Sequence, residues 1–491
     1  MNYCAGVLLR GCFGERIVSV NSADAGPQGS EGSTVPRSDV PGRRSALLAV
    51  GALLLVTIIG TMSNNIVNVP LRQVAADFDE PVAYAVLCVS AFSLMLAITL
   101  PLTGWLGDRF GRKRVLVAFL ALMCASQLAA ALAPNLPFLI GTRALQGLGC
   151  SAIPPLVMGI LIVVYPQQRG RLMGAWAAAN GVGQALGPPV GGIVADAFGW
   201  RAIFVLVAVL TGIALTVISA AVPRVEPREA PFHVPGAVLL TGGAGLVLLG
   251  ATLLSQPVVD RRVDVALVVL GLLLLAGFVK VSYGNPRALI PLRLIGEVRF
   301  FRSCFAAFAQ MFMLGTSLVA APLVLTGPMG LSLSQAGVIF FALPVMMAVS
   351  APLVGRVAER WSPRGVLRLG LLGVVVVAVA SAVVVSAEVP PLGPLVVCLL
   401  LAGVAMAMVQ TPAATGATRS PAGAIGSGLG LFNLTRFAGS TAGAAWVAMI
   451  APSGRMGVIF VGAAVVGLVA LGVTFAGRTP AQEPDVVAVA A

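Results

Sequence analysis

The sequence predicts an all-α polytopic membrane protein. Three observations predict it. Of the 491 residues, 58% are hydrophobic and 10% charged, with a mean hydropathy of +0.98; a soluble globular chain is about one quarter charged. The apolar runs are continuous and roughly 20 residues long, as a helix crossing a ~30 Å hydrocarbon core requires, whereas a barrel would show short alternating segments. Basic residues gather in alternate loops, which is the bias that orients membrane proteins.

Taken in order, residues 1–44 are polar, with Gly, Ser and Pro from Ser22 to Arg44, and read as a disordered cytoplasmic tail. Arg10 and Glu15 interrupt the early apolar stretch, which argues against a cleaved signal. Fourteen spans follow, at roughly 45–69, 82–105, 114–133, 137–164, 171–194, 201–222, 235–254, 263–282, 300–325, 335–356, 366–386, 391–411, 425–450 and 456–476. With the N-terminus inside, the inner loops hold Arg109, Arg112, Lys113, Arg114, Arg169, Arg171, Arg356, Arg360 and Arg364 among others. The outer loops hold Arg72, Arg201, Arg261, Arg262 and Arg455. Both termini are therefore expected in the cytoplasm, with the chain in the cell (inner or plasma) membrane. The net charge of +13 reflects this topology, and no nucleic-acid partner is expected. The seven cysteines show no metal-ligand spacing, so neither a metal nor another cofactor is expected.

The chain carries an internal repeat. Residues 101–115 read PLTGWLGDRFGRKRV and residues 352–366 read PLVGRVAERWSPRGV. Asp108 is matched by Glu359, and Phe110 by Trp361. Each copy follows the second span of a six-span half. This gives an N-terminal half at 45–222, a linker with two extra transmembrane helices at 223–299, a C-terminal half at 300–476 and a cytoplasmic tail at 477–491. Repeated halves around a central path are a transporter signature.

The first copy reads as a tight inner turn acting as a conformational latch. Gly104 and Gly107 allow close helix approach, and Gly111 an unusual backbone angle. Asp108 can meet a helix N-terminus or an arginine, while Arg112, Lys113 and Arg114 hold the turn on the cytoplasmic side, and Arg109 completes the latch. Glu359 and Arg360 take these roles in the second copy. In span 5, GVGQALGPPVGG (181–192) places Gly183, Gly187 and Gly191 four apart, followed by Gly192, with Pro188 bending the helix. A similar face recurs at Gly439 and Gly443.

With these motifs, the sequence resembles the major facilitator superfamily, and its fourteen spans resemble the drug:proton antiporter branch. Residues 104–115 look like the signature loop between helices 2 and 3. RALQGLG (143–149) is similar to the helix-4 motif, whose arginine is implicated in proton transfer, and 181–192 looks like the helix-5 antiporter motif. WRAIF (200–204) and LFNLTRFAGSTAG (431–443) agree. The resemblance implies a major facilitator fold of two six-helix halves plus two inserted helices. It also implies a monomeric transporter and not an enzyme, exporting small amphipathic compounds by alternating access and using the proton gradient. A metabolite importer or an uncoupled facilitator is the alternative on the same fold.

Polar residues inside the spans are the candidates for the path. Arg143 and Arg436 are costly in a bilayer unless they meet a cavity or partner; Arg143 could also snorkel to the outer interface. Gln146 shares a face with Arg143. Asn433 lies beside Arg436, and Gln310 and Gln410 are candidates in spans 9 and 12; each amide could instead be an ordinary helix–helix hydrogen bond. Asn64 and Asn68, four apart in span 1, complete the set with Ser63. The resembling branch usually carries an aspartate in a helix-1 pattern such as LDxTIVNVALP. Here the stretch is MSNNIVNVPL (62–71), and Ser63 stands at the acid position. Of the eighteen acids none falls clearly at mid-span, so the coupling candidates are Arg143, Gln146 and Asp196, the last at the outer end of span 5, with Asp108 in the inner loop.

Overall fold

The computed structural model describes residues 43–228, 230–254, 260–285 and 288–477. The expected tails at 1–44 and 477–491 fall, save for their innermost residues, outside that range. Among the described residues the regular structure is helical throughout. In chain order the helices are α1 (Arg43–Asn65), α2 (Leu71–Asp77), α3 (Val82–Phe110), α4 (Arg112–Ala131), α5 (Leu136–Ser151), α6 (Ile153–Val164), α7 (Arg169–Phe198), α8 (Trp200–Ala221) and α9 (Val234–Leu254). They continue with α10 (Arg261–Ser282), α11 (Leu292–Ile295), α12 (Val298–Thr326), α13 (Leu333–Phe340), α14 (Ala342–Arg360), α15 (Pro363–Val385), α16 (Leu392–Arg419), α17 (Gly426–Ile450) and α18 (Met456–Val473).

Twelve candidate spans among the described residues are long and apolar enough to cross a membrane, counting α5–α6 and α13–α14 as one each. The sequence reading expected fourteen. The two outside the twelve are α7 and α17, of 30 and 25 residues. They are long enough, but their glycines and amides, with Arg436 inside α17, lower the hydropathy. Span 4 breaks at Ala152, beside Pro154 and Pro155, because proline cannot donate the helical hydrogen bond. Span 1 stops being α-helical at Asn65 and tightens into a 3-10 turn over Ile66–Asn68.

The chain divides into two compact units: the described residues up to Ala230 with Ala348–Glu359, and Pro231–Met347 with the described residues from Arg360 onward. In the first, α7 packs on α1 and α8 on α4, while α5 lies between α3 and α4. Missing side chains set the close approaches: Gly147 faces the Phe92 backbone, and Gly149 faces Phe119 and Met123. In the second unit α12 packs on α17, and α15 on α16 and α18. The pair α9–α10 forms a tight hairpin, with Gly243 against Gly271 and Gly250 against the Asp264 carbonyl, and α9 rests on α17.

Candidate functional site

In the first unit the site is built around Arg143. Asn135 caps α5, its Oδ1 accepting from the Phe138 N–H at 2.9 Å, and the helix then carries Arg143 and Gln146 on one face. Arg143 is 1% exposed. It donates Nη1 to Gln146 Oε1 at 2.8 Å, Nε to the Cys88 carbonyl at 3.3 Å and Nη2 to the Ser63 carbonyl at 3.2 Å. Its guanidinium lies 4.3 Å from the Phe92 ring centroid, a cation–π contact. Gln146 in turn donates to the Ser126 carbonyl at 3.2 Å. The Ser63 carbonyl is available because it belongs to the last turn of α1, where carbonyls lose their intrahelical partners. Snorkelling is thus replaced by a fully internal arrangement, and all three acceptors are uncharged.

The helix-1 residues separate. Ser63 is buried and turns its hydroxyl back to the Ile59 carbonyl at 2.7 Å. Asn64 accepts from the Ser93 hydroxyl at 2.9 Å. Asn68 is exposed; the α-helix ends at Asn65, so the four-residue spacing that would align it with Asn64 does not reach it. Asp196 is also exposed and accepts from Gln73 at 3.4 Å. Arg143 directs its hydrogen bonds elsewhere.

The second unit carries the counterpart. Arg436 is 2% exposed and donates Nη1 to Asn433 Oδ1 at 3.0 Å, while Asn433 donates to the Leu429 carbonyl at 2.9 Å. Gln310 and Gln410 are buried, and among the described residues both ends of each amide lack a hydrogen-bond partner, as do the hydroxyls of Thr316, Ser317 and Thr411. No metal-holding group of three or more His, Cys, Asp or Glu occurs among the described residues.

The two repeated loops differ. Asp108 and Arg112 form a buried pair: Arg112 donates Nε and Nη2 to Asp108 Oδ1 at 3.2 and 3.0 Å, and Nη1 to the Gly159 carbonyl at 2.7 Å. A Cβ on Gly159 would stand 2.6 Å from Arg112 Nη1, so the guanidinium needs glycine there. Gly111 has φ of +94°, a conformation L side chains avoid. Gly104 is buried and Arg109 exposed. In the second copy Glu359 accepts from the Arg171 backbone N–H at 2.9 Å and from its Nε at 3.3 Å. It thereby sits on the first turn of α7, where a carboxylate meets the positive end of the helix dipole. Arg360 is exposed.

The glycine face of α7 meets α1. A Cβ on Gly183 or Gly191 would fall onto the Ile58 or Ile66 carbonyl, and one on Gly187 would lie 3.0 Å from Asn65 Cβ. Gly192 would meet only Val69 Cγ1 at 3.5 Å, an ordinary contact. Pro188 and Pro189 lie inside α7.

The family model described as Major Facilitator Superfamily matches residues 53–283 and 303–491. The chain belongs to the Major Facilitator Superfamily. The multidrug resistance protein B homolog of Mycobacterium tuberculosis is 28% identical over 463 residues, covering 90% of this chain and 82% of that one. The riboflavin transporter RibZ of Clostridioides difficile is 24% identical over 376 residues, covering 73% and 79%. The crystal structure of the human organic anion transporter MFSD10 (TETRAN) superposes with a TM-score of 0.66 at 17% identity, covering 88% of this chain and 100% of that one, a likeness of fold. As a superfamily member the chain is a multi-pass membrane transporter and not an enzyme. Three-residue spacing in the sequence paired Arg143 with Gln146, while Arg436 and Asn433 were expected together on the path from the resemblance of residues 431–443. Sequence reasoning missed Phe92, Cys88 and Arg171, which come from distant helices and leave no local signal.

Proposed function

We propose that the protein exports small neutral or anionic amphipathic compounds from the cell by alternating access. Each half would contribute its own groups to the path: Ser63, Asn64 and Arg143 from 45–222, and Gln310, Gln410, Asn433 and Arg436 from 300–476. The observation that carries this reading is Arg143: a buried guanidinium whose hydrogen bonds all end on neutral oxygens. An uncompensated cation in low dielectric favours a negative or strongly dipolar guest and disfavours a lipophilic cation. The unsatisfied amides of Gln310 and Gln410 support a hydrogen-bonding guest, because an unmade buried bond costs roughly 1–3 kcal/mol. A relative named for multidrug resistance supports export.

The proton gradient is the proposed energy source. Ser63 cannot titrate, so coupling would run through Arg143, Gln146, Asp108 and Asp196, or through a substrate that itself carries the proton. The protein is proposed to act as a monomer in the cell membrane with both termini cytoplasmic. Arg436→Ala is expected to abolish export of an anionic amphiphile from proteoliposomes without lowering expression; unchanged export removes Arg436 from the site. Steep dependence of a non-titrating substrate on an imposed pH gradient would establish coupling without a helix-1 acid. A second reading, uptake or facilitation of a metabolite, is favoured by the relative named as a riboflavin transporter. Accumulation compared between cells with and without the gene separates the two.

A further inference from the structure

Three arginines of the second unit meet around the carboxy end of α18, and a fourth, Arg299, acts on one of them. Arg302 donates Nη1 to the Ala476 carbonyl at 3.3 Å and Nε to that of Val298 at 3.0 Å. Arg364 donates Nε and Nη2 to the Thr474 carbonyl at 3.0 and 2.6 Å, and Nη2 also to Gly477 at 3.2 Å. Arg368, one turn further along α15, donates to the Thr474 hydroxyl at 3.3 Å and carbonyl at 3.1 Å, and lies 3.8 Å from the Phe475 ring centroid. Arg299 donates to the Arg419 carbonyl at 3.1 Å and, with Arg364 and Arg368, acts electrostatically on Arg302.

A helix carboxy end carries about half a negative charge, which accounts for one of these cations and not for four. Glu297 also acts on Arg302, but its carboxylate caps α12 through the backbone N–H groups of Arg299 and Phe300. The surroundings say what else the cluster can meet. Trp361 is 78% exposed, a residue of the kind that sits at headgroup level, and Phe475 beside the cluster is 63% exposed. Leu369, Leu372 and Val376, at helical spacing immediately beyond Arg368, are all exposed and give an apolar track along α15.

We propose that this cluster binds the headgroup of an anionic phospholipid. Its phosphate would lie against Arg299, Arg364 and Arg368, and an acyl chain along Leu369, Leu372 and Val376. A basic pocket at the end of a helical bundle suits such a headgroup, and guanidinium forks suit phosphate oxygens. The apolar track favours a lipid over free phosphate.

The test uses the full chain in detergent, with native mass spectrometry reading bound lipid at equal amounts of phosphatidylglycerol and phosphatidylcholine. Retention of phosphatidylglycerol is expected to exceed that of phosphatidylcholine about tenfold, or ~1.4 kcal/mol. The preference should be lost in Arg364→Gln/Arg368→Gln and kept in Arg261→Gln/Arg262→Gln. Because Arg364 and Arg368 also hold the end of α18, Arg299→Gln is measured alongside; it gives up a single hydrogen bond of the fold and should still lower the preference several-fold. Equal retention of the two lipids, or a preference unchanged in Arg299→Gln, overturns the proposal. Displacement of the lipid by millimolar inorganic phosphate assigns the cluster to a free anion and overturns it equally.

Discussion

The loops at 101–115 and 352–366 share Pro, Leu, Gly, Arg and Val in register, yet their acids behave differently. Asp108 pairs locally with Arg112, both side chains 4% exposed. Glu359 pairs with Arg171, 188 residues away, with side chains 30% and 40% exposed. The cause is visible in the alignment. Where the first copy has Gly111-Arg112, the second has Ser362-Pro363. Gly111 takes a positive φ that brings Arg112 back onto Asp108. Ser362 is extended and caps α15, accepting from the Gly365 N–H, and Pro363 opens that helix. Deprived of an arginine four residues on, Glu359 reaches the start of α7 instead, over Gly170, which has no side chain to obstruct it: a Cβ there would stand 2.8 Å from the carboxylate. One repeated pattern thus yields a sealed structural pair and an exposed contact, and only the second can break at little cost.

The largest effect separating them should come from Asp108→Ala. Removing one partner of a buried pair leaves Arg112 charged and enclosed, at a cost of about 3–5 kcal/mol. Thermal unfolding in detergent should show a large fall in Tm and reduced yield. Glu359→Gln should cost about 0.2–1 kcal/mol, as exposed pairs do, and a double-mutant cycle with Arg171→Gln should return a coupling in that range. Equal losses for Asp108→Ala and Glu359→Gln would break the comparison. As the latch reading has it, Glu359→Gln should change transport rate more than stability.

The turn residues give the next step down. Gly111→Ala places a side chain at φ +94° and should cost about 1–3 kcal/mol. Ser362→Ala loses a cap and should cost ~1 kcal/mol or less. Both read out as Tm in detergent. A sharper version transplants the first turn into the second: Ser362→Gly/Pro363→Arg should create coupling between positions 359 and 363 in a mutant cycle, whereas Pro363→Arg alone should not, since the turn that returns the arginine would be missing.

What was legible in the sequence follows the same division between local and distant. The apolar runs set the helices, and three-residue spacing placed Gln146 beside Arg143. The four-residue glycine spacing of α7 predicted a bare face, and its target proved to be α1. The end of α1 at Asn65 was hidden, because the apolar run continues to Val69 before Pro70 interrupts it. Arg171 was hidden as the partner of Glu359, although Pro363 at the arginine position was a sign that Glu359 would look elsewhere. The span count diverged at α7 and α17 for a physical reason: the glycines and amides that let these helices pack closely are what lower their hydropathy.

A third ion pair tests whether exposure alone decides these outcomes. Asp77, at the end of α2, accepts from Trp200 Nε1 at 3.1 Å and pairs with Arg201, with side chains 45% and 43% exposed. Arg201 also covers the Trp200 ring at 4.3 Å. The hydrogen bond from Arg201, then that from Trp200, holds the Asp77 carboxyl below the usual aspartate value. A lowered folded-state pKa contributes stability above the unfolded value of ~3.9, lost as pH falls through the folded one. The Tm difference between the native chain and Asp77→Asn should therefore stay constant from about pH 7 to pH 5 and close below roughly pH 4. Its size should match that of Glu359→Gln and not that of Asp108→Ala, because solvent screens both exposed pairs. A difference as large as the one for Asp108 would show that local geometry outweighs exposure, and the contrast between the two loops would then rest on their turns alone.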